Sequence, residues 1–314
     1  MPFRASFDCL WCGRSHETRS PDDLEGWARL CPDCLGRAGD NGFLRFRLHQ
    51  ALAERAAAGR AAGGRSTGRA APTGDGSPAE LVADGPSPAS DPDGELVAYY
   101  EARAAEYDDW YLRRGRYSHG PVHDAAWDAE LDAATRFVDA LPMAGEIVEL
   151  AAGTGWWSPL LAGKGSLSVY DAAQAPLARA RERLVAHGLR AHLHVRDAWA
   201  APDREVDGLF AGFWLSHVRD DRLDAFMAIA RRWLGRGGTF GFVDSLPDPY
   251  SGAVDHPRPS GDIAIRRLAD GREFRIVKVF HSPGRLRAAL VAAGFSSADV
   301  TTTGRFFVLG RAAA

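Results

Sequence analysis

Glu146-Ile147-Val148-Glu149-Leu150-Ala151-Ala152-Gly153-Thr154-Gly155-Trp156-Trp157 is the stretch that decides the fold. It reads as a short buried strand running into a two-glycine turn. Two glycines after such a strand let the backbone turn sharply and leave room for a ligand at the C-terminal sheet edge. Working outward, β-rich runs recur near Leu167–Asp171, Ala191–Val195, Val206–Phe213 and Gly238–Asp244. Helical patterns fall between them, notably over Gln174–His187 and Asp220–Leu234. Alternation of this kind predicts an α/β fold, a doubly wound parallel sheet with helices on both faces. As a dinucleotide fingerprint the turn is incomplete. Its third glycine position is Ser158, and two tryptophans crowd the place where a pyrophosphate would approach. Pro159, next in line, suits the first turn of a helix.

The neighbouring strands supply carboxylates. Glu149 precedes the turn, Val169-Tyr170-Asp171 ends the second strand, and Arg196-Asp197-Ala198-Trp199 follows the third. With these motifs in this order, residues 97–311 resemble the class I S-adenosylmethionine (SAM)-dependent methyltransferases, which share Glu-x-x-x-Gly-x-Gly here. The resemblance implies a Rossmann-like sheet with an antiparallel last strand, in a closing hairpin over Ala298–Thr303 and Arg305–Gly310. It implies that Asp171 bonds the ribose hydroxyls and that Asp197 meets the adenine amine, with Ala198 and Trp199 lining the adenine. Gly153 and Gly155 would pass under the amino acid moiety, and Glu149 counts with the cofactor-binding set. The segment Phe213-Trp214-Leu215-Ser216-His217 would face the methyl group. Upstream, Tyr99-Tyr100-Glu101-Ala102-Arg103-Ala104-Ala105-Glu106-Tyr107-Asp108 resembles the helix that many such enzymes lay over the cofactor. Tyr107 is the candidate SAM contact there, with an aromatic stripe packing on the core as the plain alternative. Asp171→Ala is expected to weaken SAM binding and leave the fold intact.

Methyl transfer from a sulfonium is an in-line displacement, so the protein's work is alignment, desolvation and removal of a proton from an alcohol or amine. His217, after the fourth strand, is the candidate catalytic base. Its alternative is a cap on the strand end. His119, His123 and His256 are candidates for the substrate mouth. Ile263–Leu268 and Arg272–Phe280, joined through Ala269-Asp270-Gly271, read as an added hairpin that covers the substrate.

All four cysteines fall in the first 34 residues, as Cys9-x2-Cys12 and Cys31-x2-Cys34 with eighteen residues between the pairs. That spacing reads as a four-thiolate zinc site. Four protein ligands close the tetrahedral shell, so the Zn2+ is structural and not catalytic. The segment is too short for a thioredoxin-like redox fold, and no apolar run after Met1 suggests secretion, which disfavours disulfides. His16 reads as solvent-facing. The expected organisation is a zinc module with a short helix over 1–58, a disordered Gly/Ser/Pro-rich linker over 59–94, and a SAM-dependent methyltransferase domain over 95–314.

Composition excludes several classes. The 314 residues carry a net charge of −3, and no apolar run is long enough to span a membrane. Of 38 cationic residues only Lys164 and Lys278 are lysine, which we read as codon bias and not as a phosphate-binding signal. Residues 95–314 hold 27 bases and 28 acids, which favours a small-molecule methyl acceptor, methylated on O or N, over nucleic acid. The alternatives are an RNA or protein methyltransferase whose zinc module selects the substrate, a SAM-binding scaffold without turnover and, more remotely, a nicotinamide oxidoreductase. The expected setting is a cytoplasmic monomer or homodimer.

Overall fold

Residues 5–8, 14–18, 92–257 and 261–314 are described by a computed structural model. The chain divides into two units, Met1–Ser90 and Asp91–Ala314. In the first, β1 (Ala5–Asp8) and β2 (Ser15–Thr18) pair antiparallel, with Asp8 opposite Ser15. Cys9, Cys12, Cys31 and Cys34, the expected short helix after Phe43 and the linker up to residue 91 lie outside the described residues.

The second unit opens with α1 (Pro92–Arg103), which starts three residues before the expected domain boundary. It continues through α2 (Tyr107–Tyr111), α3 (Pro121–Asp139), β3 (Glu146–Leu150), α4 (Ser158–Ala162), β4 (Ser166–Asp171), α5 (Gln174–Ala186) and β5 (His192–Val195). Then come β6 (Val206–Gly212), α6 (Asp220–Trp233), β7 (Leu234–Ser245), β8 (Ile263–Arg267), β9 (Glu273–Val277), α7 (Pro283–Ala292), β10 (Ser297–Thr302) and β11 (Phe307–Ala313). Seven strands form one sheet in the order β10-β11-β7-β6-β3-β4-β5. The five from β7 to β5 run parallel, while β11 is antiparallel to both β7 and β10.

The decisive strand lies at the centre. Ile147, Val148, Glu149 and Leu150 of β3 are all buried. A parallel strand covered on both faces reads as a continuous apolar run and not as an alternation, which is why the pattern was legible. Helices α3, α4 and α5 pack as one layer and α6 and α7 as another. The Phe226, Met227 and Leu290 side chains of the second layer close on Leu209, Phe240 and Phe242 of the sheet.

Two departures from the expected alternation occur. Residues 196–205, between β5 and β6, form an irregular connection and not a helix. Pro202 and Asp203 interrupt any helical run there, and Arg196 is drawn back to Asp203 in an ion pair. Strand β7 begins at Leu234, directly after α6, and so precedes its expected start at Gly238.

The added hairpin is present. Strands β8 and β9 pair antiparallel, and Gly271 takes φ +89° in the turn between them. Leu96 and Tyr99 of α1 pack against Ala264, Leu268 and Ile276 of the hairpin region. Helix and hairpin thus share one apolar cluster, and both contribute side chains above the strands' C-terminal ends.

Candidate active site

The turn after β3 is held by its neighbours' hydrogen bonds. Gly153 N donates to Asp171 Oδ2 at 2.7 Å, and Ala173 N donates to Asp171 Oδ1 at 2.8 Å. Asp171 therefore stitches the glycine turn to the end of β4. Its removal would cost two buried amides their acceptor, which corrects the expectation that the fold would be indifferent to it. Burial raises its pKa to about 6, against the opposing pull of the two amides. Gly155, at φ +69°, serves packing: a Cβ there would lie 2.7 Å from Ala180 Cβ on α5. Gly153 lies beneath the Tyr107 ring, whose Cζ would be 3.6 Å from an added Cβ. Thr154 Oγ1 donates to Asp108 Oδ1 at 2.6 Å, and Asp108 also pairs with Arg183, so α2 is clamped to the turn.

Three non-glycine residues among those described take positive φ, and two of them, Ala151 (φ 49°) and Phe213 (φ 59°), end adjacent strands. A left-handed conformation costs an L-residue roughly 1–2 kcal/mol, and such strain gathers where structure serves a ligand. Both residues line a cavity of about 670 Å3 at the strands' C-terminal ends. Of the residues expected to hold the cofactor, Tyr107, Gly153, Asp171, Asp197, Ala198, Trp199 and Phe213 line it, as does His217. Glu149 and Gly155 do not. Glu149 is fully buried behind the turn, where its Oε2 accepts from Ser158 Oγ and its Oε1 has no partner. The two tryptophans do not crowd the ligand space either. Trp156 stacks on Tyr111 with ring centroids 4.0 Å apart, Trp157 packs beside Phe213, and neither lines the cavity.

The donor set suits SAM. Asp171 gives one lone pair on each oxygen to an amide and retains others, Asp197 is exposed, and Trp199 and Trp214 supply flat apolar wall.

His217 sits at the far wall in the short 3-10 turn Leu215–His217. Its Nδ1 lies 2.7 Å from Val277 O, which can only accept, so Nδ1 carries the proton. Nε2 is then the acceptor for Tyr100 Oη–H at 2.8 Å. Burial, then the charge of Lys278, keeps the ring neutral by holding its pKa well below the usual histidine value.

A second cavity, of about 550 Å3, adjoins the first, and Tyr100, Tyr107, Phe213 and His217 line both. Its other walls come from α1, from residues 245–256 and from the β8–β9 hairpin. Of the candidate mouth histidines only His256 lines it. His119 bonds Gly252 O and His123 stacks on Tyr250. Arg103, Arg266 and Lys278 also line this cavity, and the chain's high arginine share, read as codon bias, hides the two arginines in the sequence. The usable signal was Lys278, one of two lysines in the chain, placed in an otherwise apolar run.

The family model described as a methyltransferase domain matches residues 147–238. No curated protein shows significant similarity to the chain. Among solved structures, a complex of DhpI with S-adenosylhomocysteine (SAH) is 32% identical, with 70% of this chain and 95% of that one covered and a TM-score of 0.54. A complex of DhpI with SAM and HEP is 32% identical, with 72% and 99% covered and a TM-score of 0.56. With a matching domain, an aligned relative over nearly its whole length and a cavity lined by the expected side chains, the chain belongs to the SAM-dependent methyltransferases.

Proposed function

We propose that this enzyme methylates an oxygen or nitrogen of a small acceptor seated in the second cavity. The observation that carries the reading is the wall common to both cavities: ligands in each would meet at Tyr100, Tyr107, Phe213 and His217. A concave site lined by aromatic, polar and cationic side chains suits a small molecule, and the balanced charge of the domain offers no footprint for nucleic acid. SAM supplies an electrophilic methyl group on a sulfonium. In this reading Asp171, Asp197 and Trp199 hold the nucleoside and Tyr107 closes over the glycine turn. The acceptor's proton passes to Tyr100 Oη as the tyrosyl proton moves to His217 Nε2. His217 can take it because Val277 O fixes its tautomer and burial keeps it neutral. Lys278, Arg266 and Arg103 also face this ring and oppose its protonation in the resting enzyme.

The test is His217→Asn. A positioned base contributes typically 10²–10⁴-fold, so kcat should fall about 100-fold while SAH affinity stays within twofold. The acid limb of the wild-type kcat profile should lie below pH 6.5, because the folded pKa is depressed and the neutral form persists down to it. An unchanged kcat would remove His217 from proton transfer.

For the first unit we propose a structural zinc held by Cys9, Cys12, Cys31 and Cys34. The support is the β1–β2 pair, whose strands bracket residues 9–14 and hence the first Cys-x-x-Cys. An isolated two-stranded hairpin is marginal in water, so a metal closing the connection would provide what the short strands lack. The expected stoichiometry is one zinc per chain by elemental analysis. Chelation should abolish the β1–β2 amide protection and leave SAH affinity within twofold; a zinc-free chain with the same protection would sink the assignment.

A further inference from the structure

The second cavity has a chemical character that its role as an acceptor site does not require. Among the described residues three cationic side chains, Arg103, Arg266 and Lys278, line it, and no carboxylate does. Arg103 is 7% exposed, its Nε has no hydrogen-bond partner, and neither it nor Arg266 forms an ion pair among the described residues. Arg103 instead lies against aromatic faces, 4.6 Å from the Tyr107 centroid and 5.5 Å from that of Tyr117. Lys278 Nζ donates to Ser216 Oγ at 2.7 Å and Ser245 Oγ at 3.2 Å. The acid that acts on it, Asp244, has both oxygens on the backbone amides of Ser216 and Ser245. Burial draws Lys278 down to about 8, against which Asp244 works, so it stays a cation at neutral pH.

Two further donors point the same way. Tyr99 and Tyr117 are 1% and 2% exposed, both line the cavity, and the hydroxyl of each is buried without a partner. Unpaired buried donors are costly, and several converging on one concave space ask for an acceptor-rich ligand. A buried cation without a counter-ion, as Arg103 is among the described residues, asks for a negative one. A sulfonium in the adjoining cavity would add a further positive charge to this region.

Resting on the methyltransferase reading, we infer that the second cavity is an oxyanion site: the acceptor carries a phosphate-, sulfate- or carboxylate-type group, received by Arg103, Arg266 and Lys278 with the hydroxyls of Tyr99 and Tyr117. The charged group is what the enzyme selects. The rest of the acceptor need only reach Tyr100 and His217 on the shared wall. Arginine's planar fork and lysine's point charge together suit a multi-oxygen anion, and their hydrogen bonds to it are charge-assisted.

The experiment titrates the full chain, saturated with SAH, with inorganic phosphate, sulfate and acetate in turn by calorimetry at low ionic strength. At least one should bind. Arg266→Met should weaken that binding tenfold or more, and so should Lys278→Met. Arg266 is the better first variant: it lies on the β8–β9 hairpin and is only partly buried, whereas Arg103 is packed into the core. SAH affinity of Arg266→Met should stay within twofold of wild type. Preference for phosphate and sulfate would mark a tetrahedral anion, and preference for acetate a carboxylate; either supports the site if it depends on Arg266. No binding of any of the three by an SAH-loaded protein overturns it, as does binding that Arg266→Met leaves unchanged. Failure of SAH itself to bind would count against the cofactor assignment alone, because the anion titration can be run without it.

Discussion

Asp171→Ala should lower SAH affinity by about 100-fold and destabilise the folded domain by about 2–4 kcal/mol. Two separate losses add here. The first is to the ligand: hydrogen bonds to a charged group are worth about 1.5–3 kcal/mol each, and 1.4 kcal/mol is tenfold in affinity. A carboxylate at the end of β4 that lines the cavity can receive the ribose hydroxyls only while it is there. The second is internal. Gly153 N and Ala173 N both end on this side chain, and alanine would leave two buried amides unsatisfied. Asp171→Asn separates the two effects poorly, because its NH2 must face one of those N–H donors. The informative measurement is therefore SAH calorimetry paired with urea unfolding on the alanine variant. Unchanged SAH affinity would remove Asp171 from the ribose site, whatever the stability did.

The sheet was legible because its central strands are covered on both sides. A strand such as Ile147–Leu150 is apolar but for Glu149, and Asp171, at the C-terminal end of the neighbouring β4, lines the cavity. Asp197 and Trp199 follow the mostly exposed edge strand β5, and there the family resemblance and not burial marks them. Glu149, which the resemblance counts with the cofactor-binding set, faces the core and Ser158 and stands outside the cavity wall. The second cavity was legible only in part: the hairpin and His256 were expected near it, but its walls also come from α1 and residues 245–256, segments with no common motif. Nothing local marks Arg103 and Arg266 among the other arginines. Only their convergence on Lys278, without a carboxylate, gives them meaning.

Glu149→Gln should stabilise the domain by about 2 kcal/mol at pH 7 and leave SAH affinity within threefold. Glu149 is wholly buried, bonded to Ser158 Oγ through Oε2 and unpartnered at Oε1. Burial raises its pKa from 4.5 to about 8; the Ser158 hydroxyl and Arg183 resist this, and Asp171 adds to it. The folded pKa lies above the unfolded one, so below pH 4.5 both states are neutral and the group exacts nothing. As pH rises from there the unfolded chain ionises first, and stability is lost until the folded carboxyl follows at about pH 8. At pH 7 the accumulated loss is about 3 kcal/mol, taking 1.36 kcal/mol per pH unit over the interval above 4.5. Glutamine is neutral throughout and keeps the shape, so it removes that loss, less whatever its amide fails to satisfy. The stability gap between variant and wild type should thus open between pH 5 and 8 and then stay level. A gap that does not vary with pH would mean the carboxyl titrates normally in the fold. The SAH arm tests the site itself: Glu149 lies outside the cavity wall, and a tenfold loss of affinity would return it to the cofactor-binding set.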